Sequence, residues 1–409
     1  MSETIRFFGF LRTKTGFSCF VLSDKKKRLH RLKYALDPCP GIPDNDSVAC
    51  ALSVLCGRGY KKVRLAIPVT EACRRELEEL TGAKWICPAA PAERPAVGRK
   101  RGLWVDHWYT GDSRPGERRI LINFSGGIDS LAALALLPRE RVDLVSVDFG
   151  GYFMREAFFF RDFHPYILHT NLRQLHYDGE SWKYMGSGSL LFSRLICGDA
   201  AYQVFGSNFE NSPLNLRDDP PFPALDPPFC MVGIEGLPII QSISEIGTTI
   251  VVTHYFPELI NAALTSLAPN PSAKRYRKQL LMEIVSERFH RELSLEPCDF
   301  PLESQRTRFG QDNSLDYLTV YLLKHRGREA VERSVTGLPE ELFDLVEKLD
   351  MTFYERYSTK HLARVPEELR EDYVRRMEAA GVLPWDEHDM EEFKQVRAVL
   401  SRYCPTLLD

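Results

Sequence analysis

The stretch ILINFSGGIDSLAALALL, residues 120–137, combines two apolar runs with a glycine turn between them. Residues 120–122 are apolar and rich in β-branched side chains, which favours a short buried strand. The turn at 125–127 interrupts this run, and helix-forming residues fill positions 131–137. The sequence therefore predicts a strand that leads into a helix through a tight turn.

A turn of this kind can bind an anion. Gly126 and Gly127 lack a Cβ atom, so their amide groups can approach a phosphate closely. Ser125 and Ser130 add hydroxyl groups at the positive end of the helix dipole. Asp129 would repel a phosphate unless a divalent cation lay between them, so it predicts Mg²⁺ bridging the phosphates. No lysine precedes the final serine, which disfavours the γ-phosphoryl chemistry of P-loop NTPases.

The motif SGGIDS, residues 125–130, resembles the signature of the N-type ATP pyrophosphatases, also called the PP-loop or adenine nucleotide alpha-hydrolase-like superfamily. The resemblance implies an α/β fold with a doubly wound parallel sheet, a HUP-like PP-loop domain. It also implies that ATP is cleaved between its α and β phosphates, which adenylates a substrate oxygen and releases pyrophosphate. The alternative is a Ser-Gly-Gly turn that merely begins a helix.

Strand–helix–strand patterns continue from 143 to 210, in the order of a doubly wound parallel sheet. In the superfamily, the ends of such strands line the nucleotide. The resemblance therefore places Asp148, Gly206 and Ser207 at the adenosine. For Asp148, an aspartate that caps a helix or sits in a loop is the alternative interpretation.

The densest basic cluster of the chain is KRYRK, residues 274–278. A solvated helix face is the usual explanation of such a run. However, pyrophosphate that leaves ATP develops negative charge, which fixed cations stabilise. We therefore expect Lys274, Arg277 and Lys278 to act in catalysis by neutralising pyrophosphate, together with Asp129 as the residue that positions Mg²⁺.

The order SEIG, PELI and AKRYRKQLL is similar to the end of the 7-cyano-7-deazaguanine synthase-like branch of the superfamily. In that branch, a Cys-Gly-Lys-Cys zinc motif runs directly into a basic segment. The two matching cysteine positions hold Ser272 and Arg275 here, so no zinc is expected. This departure weakens the case for a deazaguanine substrate and leaves the nucleotide chemistry in place.

The length of 409 residues, with 44% hydrophobic and 27% charged residues, predicts two or three domains. We expect a small N-terminal α/β domain (1–100), a PP-loop domain (101–310) and a C-terminal helical region (311–409). The first begins with a β-hairpin followed by a basic segment at 25–33. The last shows apolar residues at intervals of three and four.

The composition narrows the class of protein. A net charge of −3 and a pI near 6.4 argue against a surface built throughout for nucleic acid, so RNA is a less favoured partner. The ten cysteines form no CxxC pair, and the N-terminus shows no secretory segment, which predicts reduced thiols in a cytoplasmic protein. No apolar run approaches the length of a membrane span.

These observations predict an ATP- and Mg²⁺-dependent, AMP-forming ligase. It would adenylate a carboxylate or carbonyl oxygen and transfer the activated group to a nitrogen nucleophile. One alternative is a PP-loop thiolation enzyme acting on RNA or a small molecule, with Cys197 or Cys230 carrying sulfur. Another is a protein that senses ATP or AMP without turnover. Asp129 favours an enzyme, because metal-bridged phosphates matter most when they leave.

Overall fold

The structure is a computed structural model that describes residues 3–88, 118–150, 156–175, 183–197, 201–217 and 234–404. The chain forms two compact units, called here the sheet unit and the helical unit. The sheet unit comprises Met1–Ser125, Arg141–Val204 and Ala224–Gly236, and the helical unit comprises Gly126–Glu140, Phe205–Pro223 and Leu237–Asp409. The segment boundaries predicted near 100 and 310 stay predictions, and position 100 lies outside the described residues.

The sheet unit contains a ten-stranded sheet. Its strands in chain order are β1 (Thr4–Arg12), β2 (Gly16–Ser23), β3 (Leu29–Asp37), β4 (Lys62–Leu65), β5 (Lys84–Ile86), β6 (Arg119–Asn123), β7 (Val142–Asp148), β8 (Tyr166–Thr170), β9 (Ala201–Val204) and β10 (Ile234–Gly236). Their order across the sheet is β10-β9-β6-β7-β8-β3-β2-β1-β4-β5.

The half that contains the SGGIDS strand is entirely parallel. β10, β9, β6, β7 and β8 pair in parallel, so the first strand of this half, β6, lies in its centre. This is the strand order of a doubly wound sheet. The second and third strands are added on one side of the first strand, and the fourth and fifth are added on its other side. The α/β class and the large, mostly parallel sheet expected from the sequence are confirmed, whereas the HUP assignment stays a prediction.

A strand that the sequence prediction missed, β3, begins within the basic segment at 25–33. β3 pairs antiparallel with β2 on one side and with β8 on the other, so it joins the N-terminal hairpin to the parallel half. Leu32, Tyr34 and Leu36 are buried and alternate with more exposed residues. This period of two is the strand signal, and the surrounding charges obscured it because they lie on the other face.

Thirteen α-helices lie within the described residues. The sheet unit holds α1 (Asn45–Ser53), α2 (Glu71–Thr81), α4 (Ala157–Phe163) and α5 (Ser187–Cys197). The helical unit holds α3 (Ile128–Ala135), α6 (Glu245–Tyr255), α7 (Ile260–Leu267), α8 (Ala273–Arg288), α9 (Asn313–Glu332), α10 (Glu341–Lys348), α11 (Thr359–Leu362), α12 (Glu367–Ala379) and α13 (Glu387–Leu400). Two short parallel strands, β11 (Thr307–Arg308) and β12 (Val335–Thr336), complete this unit.

Local sequence signals explain where several helices begin and end. Thr70 accepts a hydrogen bond from the Cys73 amide at the start of α2, and Gly82 ends that helix in the left-handed region. Ser244 caps α6 by accepting from the amides of Ile246 and Gly247. None of the described helices is both long enough and apolar enough to span a membrane.

Candidate functional site

The glycine turn and the helix predicted at SGGIDS are present. β6 ends at Asn123, and α3 begins at Ile128. Gly126 has a φ of +69°, a conformation that residues with a side chain rarely adopt. Asp129 therefore lies in the first turn of α3, where the amide groups have no helical partners.

Asp129 is held in place by two donors. Thr248 Oγ1 donates to Asp129 Oδ1 at 2.9 Å, and Asn208 Nδ2 lies 3.4 Å from the same oxygen. The backbone of Gly206 also approaches closely, since a Cβ atom there would lie 3.3 Å from the Cβ of Asp129. Among the described residues no donor reaches Asp129 Oδ2, which leaves this oxygen available to a cation.

The basic cluster does not form a solvated helix face throughout. Lys278 Nζ lies 2.8 Å from Glu245 Oε1, with 4% of the Lys278 side chain and 18% of the Glu245 side chain exposed. Burial alone would lower the pKa of Lys278, but the charges of Glu245 and Asp129 outweigh it and raise the pKa. Lys278 therefore stays cationic close to Asp129.

Lys274 and Arg277 lie on the same helix beside this ion pair. The pKa of Lys274 is lowered, chiefly by desolvation and further by the charge of Lys278. The Lys274 side chain is nevertheless exposed to solvent. Burial also lowers the pKa of Arg277, whose Nη1 is buried without a hydrogen-bond partner among the described residues. A buried guanidinium nitrogen without a partner would attract an anion.

Glu210 adds a buried acid to this group. Its Oε1 accepts a hydrogen bond from the Glu245 amide at 2.9 Å, and the residue is 1% exposed. Burial, the charge of Glu245 and the charge of Asp129 raise the pKa of Glu210 to about 8. Glu210 therefore carries a proton at neutral pH and does not add a full negative charge beside Asp129.

Sequence reasoning assigned no role to Asn208, Glu210, Glu245 or Thr248. Glu245 and Thr248 are three residues apart in α6, so they share one helix face. Asn208 and Glu210 follow β9 in the segment SNFE, directly after the predicted Gly206-Ser207 position. The sequence signal that could have identified Asn208 and Glu210 was the occurrence of polar side chains directly after an apolar strand.

The local surroundings of Ser207 and Ser130 do not single them out as nucleotide ligands. Ser207 is half-buried between Gly206 and Asn208. Ser130 is buried, and its hydroxyl donates to the Gly127 carbonyl at 3.0 Å. In this state, the Ser130 hydroxyl is therefore directed to the backbone of its own turn.

Asp148 and Ser125 belong to the sheet unit. The carboxylate of Asp148 already has two partners: Oδ1 accepts from the Gly150 amide at 2.7 Å, and Oδ2 lies 2.8 Å from His169 Nδ1. The predicted adenosine contact of Asp148 stays a prediction.

The two positions compared with zinc cysteines have structural roles in α8. Ser272 caps the helix by accepting from the amide of Arg275. The buried Arg275 side chain donates to Thr265 Oγ1 at 3.3 Å. Both residues therefore contribute to the start and the packing of the helix.

A separate group of potential metal ligands lies at Asp350, His388 and Glu392, whose ligand atoms fall within 4.8 Å of one another. The Glu392 carboxylate, however, accepts hydrogen bonds from the amides of Asp350 and Met351. These bonds explain its burial without a metal ion.

Of the two cysteines named for a thiolation route, Cys197 lies within the described residues. Cys197 is buried, and burial raises the pKa of its thiol. Cys230 lies outside the described residues. Comparison of the chain with protein-family models, with curated proteins and with solved structures finds no match.

Proposed function

We propose that the protein is an ATP- and Mg²⁺-dependent ligase that forms AMP and pyrophosphate. The single observation that carries the proposal is the grouping of Asp129 with Lys278 and Lys274 in one compact unit. Thr248 on α6 donates to Asp129, and Glu245, three residues earlier on the same helix, lies 2.8 Å from Lys278. Lys274 lies four residues before Lys278 in α8. A carboxylate for a metal beside fixed cations for a leaving anion is the arrangement that pyrophosphate release requires.

The turn supports binding of the phosphates. Gly126 and Gly127 allow amide groups at the start of α3 to face an anion, and the helix dipole adds positive potential there. Asp129 would hold Mg²⁺ through Oδ2, while Thr248 and Asn208 fix the carboxylate through Oδ1. When bound, Mg²⁺ neutralises phosphate charge and orients the phosphates for in-line attack.

The proposed reaction has two steps. An oxygen of the acceptor attacks the α-phosphorus, the bond from that phosphorus to the bridging oxygen breaks, and pyrophosphate leaves with the electron pair. Lys274, Arg277 and Lys278 stabilise the charge that develops on the leaving group. A nitrogen nucleophile then attacks the carbon that bears the adenylated oxygen, loses a proton to water and displaces AMP.

The thiolation alternative has weaker support. It requires an accessible sulfur carrier, whereas the Cys197 thiol is buried and its pKa is raised. Cys230, the other cysteine named for this route, lies outside the described residues. The sensing alternative requires nucleotide binding without turnover. It would not need Lys278 to be kept charged in a buried position at the cost of desolvation.

Isotope exchange tests the first step by itself. The protein is incubated with ATP, Mg²⁺, labelled pyrophosphate and fractions of a cell extract as the acceptor source. Reversible adenylation would return label to ATP in a fraction-dependent manner. A protein that binds ATP but never exchanges label with any fraction would instead be a sensor.

A further inference from the structure

The other half of the sheet, β3-β2-β1-β4-β5, has one face that is open to solvent. Directly paired residues share a face, and the register pairs Phe8 with Phe20 and Phe20 with Arg31. Arg6 lies two residues before Phe8 in β1, on the same face, and pairs with Arg64 in β4. We call this surface the outer face and define it by Phe8, Phe20, Arg31, Lys62, Arg64 and Lys84.

The pattern of burial shows that this face is separate from the core. Ile5 and Phe7 in β1 and Val63 in β4 are buried, whereas Phe8 and Arg64 are exposed. A strand that alternates in this way covers the core with one face and presents the other to water. Polar residues are expected on the second face, so two aromatic rings there need an explanation.

The two aromatic rings form an exposed platform. Phe8 and Phe20 are each 37% exposed, and their ring centroids lie 5.9 Å apart. Gly9, at a φ of +62°, lies beside them, and a Cβ atom there would come within 2.8 Å of the Phe20 ring. Glycine at this position therefore keeps a side chain away from the ring.

Cations lie on one side of the platform, on β4 and β5. Arg6, which pairs with Arg64, is balanced by an ion pair with Asp24 at 2.6 Å. Lys62 pairs directly with Lys84, so like charges lie opposite each other across β4 and β5. Such pairs are unfavourable for the sheet itself. The described residues place no carboxylate within ion-pair distance of Lys62, Arg64 or Lys84. A positive surface is thus concentrated in a chain whose net charge is −3.

We propose that the outer face binds single-stranded RNA. Exposed aromatic rings stack on unpaired bases, and nearby lysine and arginine residues neutralise the phosphates between them. Duplexes hide their bases from such a platform. Cellular RNA presents unpaired bases in loops and ends, which makes it the fitting occupant. Phe8 and Phe20 would stack on bases, and Lys62, Arg64 and Lys84 would contact the backbone.

The inference is tested by measuring the affinity of the full chain for a fluorescent single-stranded RNA of about 12 nucleotides. Fluorescence anisotropy of the RNA follows the binding. Phe8→Ala/Phe20→Ala should weaken binding about tenfold or more, because each stacked base contributes to affinity. Lys62→Ala/Arg64→Ala should lower the slope of log affinity against log salt by roughly 1.4, as expected for two lost phosphate contacts.

Matched variants separate a specific face from a general effect. Phe158→Ala removes another exposed phenylalanine of the sheet unit that also has a guanidinium beside it, from Arg161. Arg74→Ala/Arg75→Ala removes two charges from the surface of α2. Neither control should change the affinity by more than about twofold. Thermal melting shows whether the loss of the Phe8–Phe20 contact has disturbed the fold, and the Lys62/Arg64 variant removes no such contact.

Photo-cross-linking locates the RNA independently of affinity. RNA that contains thiouridine should cross-link to peptides of β1 and β2. Absence of binding, full affinity in both outer-face variants, cross-links elsewhere, or tighter binding of the matching DNA or duplex would each overturn the proposal. These variants leave the residues of the proposed nucleotide site unchanged, so failure here is distinguishable from failure of the AMP-forming reaction.

Discussion

Lys278 and Glu245 form an ion pair in the helical unit, with Nζ 2.8 Å from Oε1 and very little of the lysine exposed. Taking both charges out of water costs free energy that their attraction only partly returns. The Glu245 amide also donates a hydrogen bond to the Glu210 carboxyl group, and the Thr248 hydroxyl on the same helix donates one to Asp129. The ion pair therefore connects the basic helix α8 to the residues that hold Asp129.

Lys278→Ala and Lys274→Ala should have different effects on stability. Removal of Lys278 leaves the Glu245 carboxylate, 18% of whose side chain is exposed, without its ion-pair partner, which should lower the free energy of unfolding by about 3 kcal/mol. Lys274 is accessible to solvent, so its loss should cost less than about 0.5 kcal/mol. Urea unfolding of both variants measures the difference.

Lys274→Ala is consequently the cleaner test of pyrophosphate stabilisation. Loss of one cation from the transition state should lower the rate of AMP formation on the order of a hundredfold, by analogy with a lost oxyanion donor. ATP affinity should change much less. Lys278→Met/Glu245→Leu serves as a stability control, because removing both charges should restore most of the loss seen in Lys278→Ala. Equal destabilisation by the single and double variants would contradict the buried-pair interpretation.

Asp129→Asn should reduce turnover more than nucleotide binding. Backbone amides of the turn carry much of the phosphate contact, whereas the lost carboxylate weakens the Mg²⁺ that stabilises charge as the bond breaks. We expect at least about a hundredfold slower AMP formation, with the ATP dissociation constant changed only a few fold. Thr248→Val, which removes the donor to Asp129, should lie between the wild type and Asp129→Asn. Equal losses of binding and turnover would count against the assigned role.

Glu210→Gln should change how stability depends on pH. Between the ordinary glutamate pKa of 4.5 and its raised pKa of about 8, Glu210 keeps a proton that the unfolded chain has lost. This contribution to stability is complete below pH 4.5 and falls by up to about 1.4 kcal/mol per pH unit until pH 8. Glutamine mimics the neutral acid at every pH.

The variant should therefore gain stability relative to the wild type as the pH rises from 5 to 8. Urea unfolding at several pH values within this range measures the gain. A difference between the two proteins that does not vary with pH would show that Glu210 ionises normally in the folded protein.

The purified protein should contain no stoichiometric zinc. Ser272 caps α8 and Arg275 bonds to Thr265, so neither position offers the thiolate that tetrahedral zinc sites favour. Elemental analysis after dialysis checks this expectation. One tightly held zinc per chain would contradict it, and loss of that zinc in Glu392→Gln would direct attention to the Asp350–His388–Glu392 group.

Some of this account was accessible from the sequence because its signals are local. The Ser-Gly-Gly turn and its flanking apolar runs predicted β6 and α3, and Thr70 with Gly82 bounds α2 where the helical pattern begins and ends. Local propensity and capping decide such elements within a few residues. The basic run at 274–278 was likewise visible as a charged segment.

Other features depend on contacts between distant residues. Which lysine of the run is buried follows from the position of Glu245, 33 residues earlier in the chain, and no local pattern contains that distance. Asn208 reaches Asp129 across 79 residues of sequence. β3 was missed because its charged outward face resembles a solvated segment, although its inward residues alternate as a strand requires.

The products of ATP cleavage distinguish an AMP-forming ligase from an enzyme that transfers the γ-phosphate. The protein is incubated with ATP, Mg²⁺ and acceptor fractions, and the nucleotides are separated by chromatography, with Asp129→Asn as the control for contaminating activity. We predict acceptor-dependent formation of AMP and pyrophosphate by the wild type and little by the variant. Acceptor-dependent ADP would contradict the proposed AMP-forming chemistry.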